Sequence, residues 1–204
     1  MQRFMPSSPR SHLRRTRVPV LLCALAFVGP EAAPLRGQVL LTQEQALEIA
    51  FPASASVERR TAFLSEEDLA EVNRLSAPAG ETGRSVVPYY VGTDGERPLG
   101  AAYFDAHRVR TLQEVLMVVV SPEGLVSRIE VLGFAEPPEY MVPGGWLELF
   151  RGRGLDEGTS TRGDIPLVTG ATLTAHATSD AVRRSLALHE VIRPFADAAG
   201  MGSP

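Results

Sequence analysis

From residue 41 onward the apolar positions follow two different periods, and the change of period marks out the elements. Ala46, Leu47, Ala50 and Phe51 fall on one helical face within Leu41–Phe51. Thr42 stands where an N-cap belongs, Glu44 and Glu48 suit the positive end of the helix, and Pro52 ends it. A short extended piece, Val57 to Phe63, leads to Ser65. Ser65 is followed by Glu66, Glu67 and Asp68, a capping box with aspartate in the usual glutamate place. Leu69, Val72 and Leu75 give that second helix its apolar side. Residues 76–84 are Ala, Pro, Gly and polar, a loop. The period then becomes two. Val86–Val91, Leu99–Phe104, Glu114–Val120 and Leu125–Phe134 read as about four strands, with turns at Thr93-Asp94-Gly95 and Ser121–Gly124. Glu114–Val120 is too apolar to have a wet face. After Pro137-Pro138 come a short amphipathic helix at Trp146–Phe150 and a glycine-rich loop from Gly152 to Gly163. A last helix runs from about Ala175 to Ala196. Ala181, Leu186, Leu188, Val191, Ile192 and Phe195 are expected to bury there, with Arg183, Arg184 and Glu190 in water. The pattern predicts an α+β fold, an antiparallel sheet flanked by helices, divided into an N-terminal helical part (38–80) and a second part (81–197).

The first 37 residues carry a different charge. Arg3, Arg10, Arg14, Arg15, Arg17 and Arg36 stand against Glu31 alone, a net of +5, whereas the remaining 14 arginines face 23 acids, a net of −9. A basic head followed by the apolar run Val18–Val28, too short to span a bilayer comfortably, and then by small residues reads as a secretory signal peptide or an uncleaved membrane anchor. The expected location is outside the cytoplasm, periplasmic or attached to the outer face of the cytoplasmic membrane. Cys23, the single cysteine, lies inside the apolar run, and Leu22 before it does not suit lipidation. Removal of the segment leaves a chain without cysteine, which excludes disulfides, iron–sulfur clusters and thioether-bound haem. The acidic remainder argues against nucleic acid as a partner.

The stretch Thr169-Gly170-Ala171-Thr172-Leu173-Thr174 follows the apolar run Ile165–Val168 and opens the last helix. Two threonines beside a glycine at such a place suit an anion, because the helix start offers unpaired N–H groups and the positive end of the dipole. The same residues also read as an ordinary helix cap. The string resembles the flavinylation motif of the FMN-binding domain family, Ser/Thr-Gly-Ala-Thr/Ser-x-Thr. That family includes the C subunit of the sodium-translocating NADH:quinone reductase and the G subunit of the Rnf-type complex. Gly100 to Thr111, with Tyr103, Phe104, Asp105, His107, Val109 and Arg110, and then Glu136-Pro137-Pro138-Glu139-Tyr140, are similar to exported bacterial members. The resemblance runs from Gln38 to the last helix and makes 81–197 the FMN-binding domain. It implies covalent FMN, joined by a phosphoester bond to Thr174, with Thr169, Gly170, Ala171 and Thr172 shaping the turn around the phosphate. It also implies a flavin transferase that uses FAD and magnesium, and a redox partner protein or membrane oxidoreductase complex. One position departs: family members commonly carry an aspartate three residues before the Ser/Thr-Gly pair, where this chain has Pro166.

Other residues invite chemistry. His107, Arg108 and Arg110 cluster in an otherwise acidic chain, and arginine suits phosphate while a positive group suits a reduced flavin. His107 and Arg110 are therefore candidate cofactor contacts; the alternative is that Asp105 pairs with an arginine at a turn. Tyr140 is a candidate to stack on a flavin or pack beneath it. Trp146 reads as packing. His176 and Asp180 share a helix face, expected to be solvated, and His189 reads as structural. No metal-ligand spacing stands out. The functional expectation is an exported electron-transfer flavoprotein. The alternatives are a cofactor-free binding or assembly module on the same fold and a noncovalent FMN binder.

Overall fold

The computed structural model describes residues 38–196. The expected signal or anchor segment and Cys23 lie outside them. The elements, in order, are β1 (Gln38–Val39), α1 (Gln43–Ala50), β2 (Ser56–Phe63), α2 (Glu66–Ser76), β3 (Val86–Asp94), β4 (Arg97–Arg108), β5 (Gln113–Val120), β6 (Val126–Phe134), α3 (Gly144–Leu147) and α4 (Thr172–Ile192). The fold is α+β. Six strands form one antiparallel sheet in the order β1-β6-β5-β4-β3-β2. Strands β2 to β6 make a continuous meander, and β1 adds to its far edge. The four-strand expectation omitted the two edges: Val57–Phe63 pairs with β3 along its full length, and β1 is only two residues long. Residues 38–80 thus supply both edge strands as well as α1 and α2. No described helix is long and apolar enough to cross a membrane.

The capping box predicted at Ser65 forms, and Thr42, expected as an N-cap, closes a second one with Gln45. Thr42 and Gln45 exchange side chain-to-backbone bonds, as do Ser65 and Asp68. The sheet buries both faces, by alternation that the register shifts in β5–β6 and β3–β4 interrupt. Tyr103, Val118, Val120 and Ile129 meet Val182 and Leu186 of α4, together with Trp146, Phe150 and Ile165. On the opposite face Ala102, Met117, Val119 and Leu132 meet Ala46 and Phe51. Six of the eight residues of β5 are buried, as the lack of a wet face predicted. At Gly92 any Cβ would overlap the Phe51 ring, so the glycine makes room for that packing.

Arg183 is a correction. It was expected in water, yet it is 5% exposed. Its Nε donates to Ser76 O at 3.1 Å, and Nη2 donates to Leu75 O at 3.3 Å and Ala77 O at 2.9 Å. Nη1 donates to Asp156 O. The guanidinium therefore closes the C-terminal end of α2, where carbonyls without intrahelical partners and the negative end of the helix dipole collect. Helical periodicity gave no sign of this, because the compensating groups are backbone carbonyls from distant segments.

Replacing Arg183 by methionine leaves those carbonyls without their donor. The expected cost is about 2–4 kcal/mol, read as a lower midpoint of urea unfolding with little change in slope. Arg183→Lys retains the charge but not the fork, and is expected to fall between wild type and Arg183→Met.

Candidate functional site

Val168 to Ala171 form a tight turn closed by the Ala171 N–H donating to Val168 O at 3.0 Å. Gly170 takes φ +86° at its third position, the left-handed conformation that a type II turn demands there. Nothing lies within 4 Å of where a Gly170 Cβ would stand, so the residue is fixed by conformation and not by crowding. Helix α4 then begins with Ala171 as N-cap and no side-chain cap. Neither hydroxyl of the early motif caps the helix: Thr172 Oγ1 donates back to Val168 O at 3.3 Å, and Thr169 is exposed on the turn. The cap reading does not hold. The N–H groups of Thr172, Leu173 and Thr174 have no acceptor among the described residues.

A cavity of about 150 Å³ opens at this end of α4, lined by Gly170, Ala171, Thr172, Leu173, Thr174, Arg110 and Tyr140. Thr174 is 1% exposed, and its Oγ1 donates to Tyr140 O at 2.5 Å. The Arg110 guanidinium lies over the Tyr140 ring, 5.2 Å from its centroid, a cation–π contact. Of the eight residues singled out in the sequence, six therefore converge here. Thr169 lies on the turn outside the cavity lining.

His107 does not join them. Strand β4 runs on to Arg108, where the sequence suggested a loop, so Asp105 and His107 continue the alternation of Tyr103 and turn toward α4. His107 Nδ1 lies 2.9 Å from Asp105 Oδ1, and Nε2 lies 2.9 Å from Glu114 Oε2. Both ring nitrogens lie within hydrogen-bond distance of carboxyl oxygens, an arrangement that favours the protonated ring. Arg184 grips Asp105 bidentately, Nε to Oδ2 at 3.0 Å and Nη2 to Oδ1 at 2.9 Å. Thr178 donates to Glu114 Oε2 at 2.8 Å. Asp105 does pair with an arginine, but one from α4 and not from a turn. Glu114 Oε1 is the buried side-chain polar atom left without a partner among the described residues.

The sequence reading missed Glu136. Its Oε1 accepts from the backbone N–H groups of Arg110 (3.2 Å), Thr111 (2.8 Å) and Leu112 (2.8 Å). The carboxylate thus organises the β4–β5 loop that carries Arg110. Glu136 stood in the string leading to Tyr140, but as a neighbour of two prolines and not as a ligand for a loop. Trp146 also locates the motif: Nε1 donates to Pro166 O at 2.7 Å, which holds the chain that enters the turn. The loop before it is tied to α4 by Thr161, which bonds His176 Nδ1 at 2.6 Å and Ser179 Oγ at 3.2 Å. His176 is half-buried and not solvated. His189 is structural as expected, buried with Nδ1 3.3 Å from Tyr103 Oη.

Compared with family models, curated proteins and solved structures, the chain matches none, and the site is read from its own geometry.

Burial alone would lower His107, but its hydrogen bonds to Asp105 and Glu114 outweigh that and raise it above 6.5. Burial raises Asp105, and the His107 and Arg184 bonds overcome it, bringing the group to about 2. Burial lowers His189 to about 4. The signs then differ. The His107 contribution is complete below pH 6.5 and is lost as pH rises through its folded value. The Asp105 contribution is present above 3.8 and is lost as pH falls toward 2. His189 stays neutral in the fold, so stability is lost as pH falls from 6.5 toward 4. In a pH series of unfolding midpoints, His107→Gln is expected to remove the alkaline decline and leave the acid limb. Glu136→Ala is expected to release residues 109–112, seen as faster amide exchange at Thr111 and Leu112.

Proposed function

We propose that the chain is an exported electron-transfer module carrying FMN on Thr174 through a phosphoester bond. The supporting observation is the convergence at one small cavity of the Thr174 hydroxyl, an uncapped helix start and the Arg110 guanidinium. Together these suit a phosphate: unpaired N–H groups and the helix dipole favour negative charge, and arginine adds a cation. The residues of the Thr169–Thr174 string and their likeness to the flavinylation motif direct the reading from phosphate in general to FMN.

The size of the cavity favours the covalent over the noncovalent form. A cavity of about 150 Å³ lies well below the roughly 300–1,000 Å³ of sites that enclose a ligand. It admits a phosphate group, and a bond to the protein is what would retain the rest. When bound, FMN supplies one- and two-electron transfer, so the chain needs no substrate site of its own and acts as a redox subunit and not as a stand-alone enzyme. Thr174 Oγ1 would give up its proton and its bond to Tyr140 O as it forms the bond to phosphorus, with AMP leaving FAD on the transferase. Export rests on the basic and apolar N-terminal segment.

A second reading, a cofactor-free exported binding or assembly module, draws on one observation. Thr174 is 1% exposed and its hydroxyl is already hydrogen-bonded, the condition of a structural threonine.

Intact mass after co-expression with a flavin transferase decides between them. A gain of one FMN less one water, on the peptide holding Thr174, is expected, and Thr174→Val should fold without that gain. An unmodified wild-type mass would leave the cofactor-free module or a noncovalent FMN binder, told apart by flavin released on denaturation, and an equally modified Thr174→Val would move the attachment elsewhere.

A further inference from the structure

A second cavity, of about 340 Å³, lies between the start of β3, the end of β4, α4 and the loop of residues 80–84. It shares no lining residue with the cavity at Thr174. Arg184 in its wall stands ten residues along α4 from Thr174, about 15 Å at 1.5 Å per residue. Its polar side is built and held. The side chains of Asp105, His107 and Arg184 are 16%, 10% and 13% exposed and locked to one another. Asp105 takes Nε and Nη2 of Arg184, while Nη1 has no partner among the described residues. Nη1 is also not among the sealed unpartnered atoms, so it meets accessible space. Arg84 lines the same cavity and has no carboxylate partner among the described residues; its Nη2 reaches only Ala106 O, at 3.5 Å. The opposite wall is apolar: Val87, Pro88 and Leu188. Val86 lines it too and pairs across the sheet with Phe63, and the two are 52% and 79% exposed.

We propose that this cavity binds a small organic monocarboxylate with an apolar body. The carboxylate meets the free edge of Arg184, with Arg84 adding charge, and the body lies against Val87, Pro88 and Leu188. An apolar wall with a few fixed polar groups is the usual construction of a small-molecule site. Of the two arginines in the lining, Asp105 already holds Arg184 bidentately, which leaves one unpaired guanidinium edge and Arg84 for a single carboxylate.

The test is an amide-shift titration of the described residues in the full chain with benzoate, hexanoate, acetate and inorganic phosphate. Benzoate and hexanoate should saturate at one site, moving residues 80–88, 103–107 and 184–188. Acetate and phosphate should bind more weakly. Arg84→Ala, at an exposed position, should weaken benzoate roughly tenfold. Thr174→Val should leave its affinity unchanged, whether or not Thr174 carries a flavin. Absence of saturable shifts with both longer acids, phosphate binding as tight as benzoate, or shifts centred on residues 169–174 would overturn the proposal.

Discussion

A guanidinium with no carboxylate partner among the described residues joins the helical layer. Arg183 brings the C-terminal end of α2, the loop at Asp156 and the middle of α4 to one point through four backbone carbonyls. Burial lowers its pKa, yet arginine stays charged across the accessible pH range. The cation is tolerable there because a helix C-terminus is a concentration of partial negative charge. With α4 held on its outer side, its inner side settles against the sheet. That fixes where its first turn stands, and hence where the Thr174 hydroxyl meets the Tyr140 carbonyl.

On the inner side the contact is also partly polar. Thr178 and Arg184 reach down to Glu114 and Asp105, and His107 bridges those two carboxylates within the sheet. An apolar seam alone lets a helix slide or rotate at small cost. Paired charges allow one register, because any shift leaves a carboxylate buried and alone. The cavity lined by Asp105, His107 and Arg184 is therefore held in shape by the same contacts. Apolar packing of Val182 and Leu186 supplies the adhesion and the ion pairs supply the address.

Much of this was legible in the chain and some was not. The meander, the Ser65 capping box, the Thr42 N-cap and the dry strand β5 followed from period and cap residues, which are local. The motif turn was legible as well, since only glycine takes φ +86° without strain. What escaped depended on partners far away in sequence. Arg183 looked like a wet residue because its acceptors are carbonyls more than a hundred positions distant in α2. His107 looked like a loop residue because Asp105 and His107 are polar, and a polar alternation inside a strand signals nothing until Arg184 supplies the opposite charge. Edge strands β1 and β2 lacked contrast, one being two residues long and the other exposed along nearly all its length.

Helices α1 and α2 each begin with a side chain clasped to the backbone, whereas α4 begins with Ala171 and no clasp. Such a clasp is worth about 1 kcal/mol to the turn it closes. The opening turn of α4 thus unwinds more readily than those of its neighbours, and the Thr174 hydroxyl is shut away only while that turn stays wound. Access to this oxygen therefore has a clock as well as a shape: the cleft sets what fits, and the opening turn of α4 bears on when the hydroxyl is reached.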